Sequence, residues 1–302
     1  MRFAFLLSAF ALLVSLAAPA ADAPPALPNG WKLEEQPTDP KAAKVVLIAG
    51  SNFYKAGEHD YVAGVTVLAD LLKQTPNVAP VIAIDWPTNP ETLKNARAVV
   101  FLFDGGDKHG ILKGEKGNRL AEVGKLLDGG AGFVQLHQTA DYPKDFGDRA
   151  RNLVGGAWEA KHSLRAHWVS EFKDFPEHPI TRGVTPFTID DGYLWKLKFV
   201  PEMKGVTPLL RTVNPKSKDD PKANDAIIAW AYDRPEGGRS FVFTGGHLHK
   251  SFAEDGYRRF LTNGILWAAG VDVPKEGAPV KLDAADLPNY LTKPPAKAPA
   301  KK

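Results

Sequence analysis

The sequence predicts an α/β protein built on a doubly wound parallel sheet with an antiparallel β extension. Two observations predict it. Between residues 44 and 136, continuous apolar, β-branched runs alternate with amphipathic helical segments, and the runs are too uniformly apolar to keep a solvent face. From residue 155 the texture changes to shorter strand-like pieces separated by Pro, Gly and Asp.

Taken in order, residues 1–20, "MRFAFLLSAFALLVSLAAPA", have an early Arg, an apolar run and a small-residue exit. This is the pattern of an export signal cleaved after Ala20, which predicts a periplasmic or secreted protein with no membrane span. Residues 21–42 are rich in Pro and Ala and predict an extended lead-in to a domain at 43–274. "KVVLIAG" (44–50) is the first buried strand. "DYVAGVTVLADLLKQ" follows, with Tyr61, Val65, Leu68 and Leu72 on one helical stripe. Strands are predicted at 78–85 and 96–103, a helix at 115–128 ended by Gly129-Gly130, and a fourth strand in "AGFVQLH". Right-handed crossovers then make the sheet parallel, and such sheets bind ligands beyond the carboxyl ends of their strands. The loops after Gly50, Asp104 and Leu136 should therefore share one rim. "HWVSEF", "PFTID", "GYLWKLKF", "VTPLLRTV" and "DAIIAWAYD" form the antiparallel extension. "RSFVFTGGH" (239–247) resumes the buried pattern, and a closing helix carries Tyr257, Leu261, Ile265 and Ala268 on one stripe up to Gly270. Residues 275–302 read as a Pro/Ala/Lys-rich, disordered tail.

Composition removes several function classes. There is no cysteine among the 302 residues, so disulfides, a thiol nucleophile and a lipoprotein anchor are all excluded. Of the net charge of +3, Arg2 and the four lysines of 293–302 supply five positive charges, so the body is slightly acidic and presents no face for nucleic acid. No P-loop, G-x-G-x-x-G or G-x-S-x-G pattern is present, which argues against a nucleotide cofactor.

The eight histidines are the informative residues. His59, His137 and His247 each follow the end of a buried strand, so side-by-side strands would gather them at one rim. Neutral imidazoles suit a divalent transition metal such as Zn, Mn, Fe or Ni. The competing reading for each is a hydrogen-bonded structural histidine. His109, in a Gly-rich loop, is a candidate for the pocket mouth, and His178 in "PEHPIT" reads as surface structure. Trp158, Tyr193 and Trp195 offer flat faces for a sugar ring, or else fill the core of the extension. Asp191 in "TIDDGYLW" is a candidate metal ligand or general base, or a turn residue.

The order of these segments resembles the ThuA-like (trehalose utilisation) family, whose fold is flavodoxin-like and similar to class I glutamine amidotransferases. The resemblance rests on "GEHD", "GGAGFVQLHQTA", "GGAWEAKH", "EHPITRGV" before "FTIDDGYLW", and "GGRSFVFTGGH" with "FLTNGILWAAGVDVP", covering residues 44–274. It implies that His137 stands where an amidotransferase has its nucleophilic Cys, so glutamine hydrolysis is excluded. It also implies a pocket of His59, His137, His162, Asp191 and His247, with His137, Asp191 and His162 as catalytic candidates. Asp191 departs from the Glu common in relatives, which weakens direct ligation there. The family association with disaccharide utilisation implies a small sugar substrate, a sugar dehydrogenase as pathway partner, and isomerisation, elimination or hydrolysis of a 3-keto-glycoside. A non-catalytic carbohydrate-binding protein on the same scaffold is the alternative.

Overall fold

The computed structural model describes residues 27–113, 118–218 and 225–294; the expected export signal lies outside them. Seven strands form the main sheet, ordered β2-β1-β3-β4-β11-β10-β9. They are β1 (Ala43–Ala49), β2 (Val78–Ile84), β3 (Ala98–Leu102), β4 (Gly132–Leu136), β9 (Val206–Val213), β10 (Asp225–Asp233) and β11 (Arg239–Phe243). The five strands read from sequence as buried on both faces are the five that pair in parallel, while β10 and β9 close the edge antiparallel.

Alternation along β1 shows why no solvent face exists. Val45, Leu47 and Ala49 enter one apolar cluster with α1 (Tyr61–Leu72) and α4 (Asp255–Ala268), whereas Val46 and Ile48 enter a second with α2 (Asn118–Asp128) and α3 (Gly147–Val154). Helices thus cover both faces, as the doubly wound reading requires. The α1 stripe of Tyr61, Val65, Leu68 and Leu72 is at most 2% exposed, and Asp60 caps the helix by accepting from the Ala63 N–H.

The predicted extension divides in two. Its last two pieces become β9 and β10 of the main sheet, while β6 (Leu164–Phe172) and β7 (Phe187–Trp195) form a separate hairpin. A short β5–β8 pair (Gly156–Ala157, Lys198–Phe199) joins its base. Trp168, Phe172, Ile189, Tyr193 and Trp195 of the hairpin enter the first apolar cluster.

The tail expectation needs correction over residues 275–294, which are packed on α1. The Tyr290 hydroxyl donates to Asp70 at 2.6 Å, Lys281 and Gln74 exchange two hydrogen bonds, and the Thr292 N–H donates to Asp60. Ala278, Val280, Leu287 and Tyr290 supply buried anchors that the polar composition concealed. Residues 295–302 lie outside the described part.

Candidate functional site

His59, His137 and His247 meet at the carboxyl rim of the sheet. One nitrogen from each lies within 4.8 Å of the others. His137 opens the tight turn (His137–Ala140) after β4 and His59 precedes the cap of α1; both adopt left-handed backbone, with φ of +56° and +49°. That conformation is costly for a residue with a Cβ and persists where the surroundings enforce it. The surroundings here are two loops joined to each other: the His59 N–H donates to the His247 carbonyl and the His249 N–H to that of Gly57.

The proton positions follow from the partners. His137 Nδ1 lies 3.1 Å from the Thr244 carbonyl, which can only accept, so Nδ1 carries the proton. Nε2 is then a lone pair, and it is buried without a hydrogen-bond partner. At His59, Nδ1 lies 3.2 Å from the Tyr61 hydroxyl, which itself donates to Asp104 Oδ1 at 2.8 Å. The hydroxyl oxygen must therefore accept from Nδ1–H, leaving the His59 Nε2 lone pair free. Asp104 also receives the Tyr54 hydroxyl and the Asn52 amide. Carboxylate and carbonyl partners behind an imidazole are what orient metal-ligating histidines.

Burial keeps the set neutral. It lowers His137 well below the ordinary histidine range, with the neighbouring His59 adding to the effect, and pushes His247 down to about 4. His59 is lowered too, burial outweighing the opposing pull of Asp104. A tetrahedral site with bonds of about 2.1 Å separates its nitrogens by roughly 3.4 Å. Side-chain adjustments of about an ångström close the trio to that spacing, so the donor set fits a divalent transition metal.

Asp191 is central, but as a clamp. It is fully buried, and its carboxylate accepts the N–H groups of Gly192, Gly246, His247 and Leu248 at 2.7–3.2 Å. Burial pushes it up to about 6 against the lowering by those four bonds. The turn it grips includes Gly246 at φ +102°, a backbone position suited to glycine. Asp191 therefore positions His247, with both carboxylate oxygens engaged by backbone N–H groups.

Other sequence candidates fall elsewhere. His162 is exposed in the turn after β5 and does not join the trio. His167 takes its place: its ring lies 4.4 Å from that of His247, over Gly192 on the paired strand, where a Cβ would come within 2.6 Å of Nε2. Tyr193 and Trp195, expected to face substrate, are 1% and 3% exposed and pack with Trp168 in the core. Trp158 is half-buried, with the Arg165 guanidinium 4.5 Å from its ring centroid. His178 accepts the Ile180 N–H. A cavity of about 20 Å³ behind His247 has room for a water and no larger ligand, while His167 on the other side of that ring is exposed.

His109 is a core residue and not part of a pocket mouth. It is fully buried, stacks on Tyr142 at 4.2 Å, donates from Nε2 to the Thr139 carbonyl and accepts the Ile111 N–H. Burial pushes it down to about 4. Between pH 6.5 and 4 the unfolded chain binds this proton and the folded chain does not, so stability falls as pH falls through that window. Relative to His109→Gln, the wild type should lose about 3 kcal/mol between pH 7 and 4, measurable by urea unfolding at each pH.

The family model for ThuA, described as trehalose utilisation, matches residues 44–268. The chain belongs to the ThuA family. Membership gives it a carbohydrate-related role. Solved ThuA-like proteins share the fold. One from Bacteroides uniformis ATCC 8492 aligns with TM-score 0.52 at 18% identity, covering 81% of this chain and 98% of that one. Another, from Parabacteroides merdae ATCC 43184, aligns with TM-score 0.53 at 14% identity, covering 83% and 97%. No curated protein sequence matches the chain. Among the described residues, no helix is long and apolar enough to cross a membrane.

Proposed function

We propose that this ThuA-family protein is an exported enzyme acting on 3-keto-glycosides made by a sugar dehydrogenase. In this reading His59, His137 and His247 hold a divalent transition metal and His167 moves a proton. The observation that carries it is the pair of fixed tautomers, which leaves Nε2 lone pairs from two remote segments free beside His247. Such a metal would supply Lewis acidity toward the substrate carbonyl oxygen.

A ketone at C3 acidifies the hydrogen on C2. His167 stands on the open side of the trio and takes that proton as general base. Returning it at C3, with the C2 hydroxyl proton passing to the C3 oxygen, gives the 2-keto isomer. Breaking the C1–O bond instead sends the electron pair to the glycosidic oxygen, which picks up a proton as it leaves. Asp191 holds the His247 turn throughout. The carbohydrate-binding alternative loses two of its three platform rings, since Tyr193 and Trp195 are in the core.

Incubation of 3-keto-trehalose with metal-loaded and chelator-treated protein tests the reading. Consumption is expected only with metal, and His167→Asn should lower turnover by about 100-fold while metal content stays constant. Gly192→Ala should produce the same loss by displacing the His167 ring. A substrate untouched at every metal loading rejects the proposal.

A further inference from the structure

The family match ends at residue 268, yet the described chain continues to 294 as a strap along α1. Its bonds to that helix run from the far end back to the cap. Lys281 meets Gln74 just past the helix, Tyr290 donates to Asp70 near its end, and Thr292 reaches Asp60 at its start. From α4, Arg258 donates to the Val280 carbonyl and Asn263 accepts the Ala278 N–H, so the strap is seated on two helices.

The end of the strap meets the loop that carries His59. Each Asp60 oxygen takes one bond from its own neighbourhood and one from Thr292. Oδ1 accepts the Ala63 N–H of the cap at 3.3 Å and the Thr292 hydroxyl. Oδ2 accepts the Gly57 N–H at 3.2 Å and the Thr292 N–H at 3.0 Å. Leu291 lies against Gly57, where an added Cβ would stand 3.7 Å from its Cδ2, and the Gly57 carbonyl takes the His249 N–H. The rings of Tyr290 and His249 are 6.5 Å apart. The loops bearing His59 and His247 are thus joined to each other and then to the strap.

Capping α1 needs none of this, because one oxygen on the Ala63 N–H suffices, and buried apolar anchors already seat the strap. Bonds from Thr292 to a carboxylate are charge-assisted and roughly twice as strong as neutral ones. They fall on the residue next to His59, whose left-handed backbone persists only while its surroundings enforce it. We propose that Thr292, acting through Asp60, is a positioning residue for His59, and that the strap is a clasp setting how tightly the histidine centre holds its ion. Chain ends open readily unless tied down, so the last bonds of the strap govern the loop they grip. By linkage, an ion at the trio tightens the strap as much as the strap tightens the ion. The ion in this inference rests on the metal reading above; the grip on the loop rests on the bonds to Asp60.

Two full-length variants separate positioning from packing. Thr292→Val keeps the side-chain shape and removes the hydroxyl bond to Asp60. Tyr290→Phe removes a hydroxyl bond of the same strap, to Asp70 near the other end of α1. Amide hydrogen exchange of the metal-free protein reads the loops directly, at the His59 and His249 N–H groups. Thr292→Val should speed it about tenfold, and Tyr290→Phe by less than about twofold. Zinc titrated against a competing chelator should bind Thr292→Val about tenfold more weakly and Tyr290→Phe as it binds wild type. Exchange in Thr292→Val that stays at the wild-type rate, or that rises equally in both variants, reduces the strap to packing and overturns the clasp. Unchanged zinc affinity in a Thr292→Val whose loops exchange faster overturns it too. A wild type that binds no zinc rejects the metal reading instead, and amide exchange then decides whether Thr292 holds the loop.

Discussion

His137→Ala is expected to abolish tight binding of divalent transition metal, and turnover with it. The substitution removes a nitrogen whose lone pair is fixed by the Thr244 carbonyl behind it and held among two other imidazoles. Changes one shell further out cost metal sites about 10–100-fold in affinity, so deletion of a ligand should exceed the upper end of that range. Stability should respond far less. The Thr244 carbonyl loses its donor, a loss of roughly 1 kcal/mol, and alanine inherits the φ of +56° without relieving it. Competitive metal titration beside thermal melting separates the two. A variant that still binds metal as wild type does would remove His137 from the ligand set.

Asp191→Asn should do comparable damage to the site by another route. The ionised carboxylate accepts four backbone N–H groups, whereas an amide offers one oxygen and sets its NH2 against an N–H. Against that loss stands a gain. With Asp191 at about 6, burial net of those four hydrogen bonds still disfavours the charge by roughly 3 kcal/mol at neutral pH, and asparagine carries no charge to bury. The two effects are of similar size and opposite sign, so net stability should change by no more than about 1 kcal/mol. The anchoring of residues 246–248 has no such compensation. Metal affinity should fall about 10–100-fold through misplacement of His247. Equal losses in stability and metal affinity would show that Asp191 serves the fold alone.

The pH behaviour of Asp191 runs opposite to that of His109. A carboxyl raised in the folded state binds its proton more readily there than in the unfolded chain, so its contribution improves as pH falls from about 6 toward 4. His109 worsens over the same interval, which is why its effect is read as a difference from His109→Gln.

The scaffold was legible because double-sided burial leaves a direct mark on sequence. Uninterrupted apolar runs at β1, β2, β3, β4 and β11 have no other economical fold, and three histidines just past strand ends share a rim once those strands align. What stayed hidden depended on partners remote in sequence. Asp-Asp-Gly serves a turn and a ligand equally well, and only the approach of residues 246–248 shows that Asp191 is a clamp. Tyr193 and Trp195 look alike as core or as platform, because an aromatic ring suits both.

His167 was more accessible than His162. Along β6, Trp168, Ser170 and Phe172 are buried, so the period-two pattern turns His167 and Arg165 outward together, opposite the glycine at 192 that makes room for the imidazole. His162 precedes that strand and escapes its geometry. The tail over 275–294 is concealed for a simpler reason: a few spaced apolar anchors suffice to seat a segment whose average composition is polar.

The most direct test of the histidine centre is elemental analysis of the purified chain after reconstitution with zinc, manganese, iron or nickel, combined with X-ray absorption at the metal edge. The account predicts a single ion per chain with imidazole nitrogens in its first coordination shell, absent from His137→Ala. A wild-type protein that retains none of these metals, or that holds one equally well without His137, would contradict it.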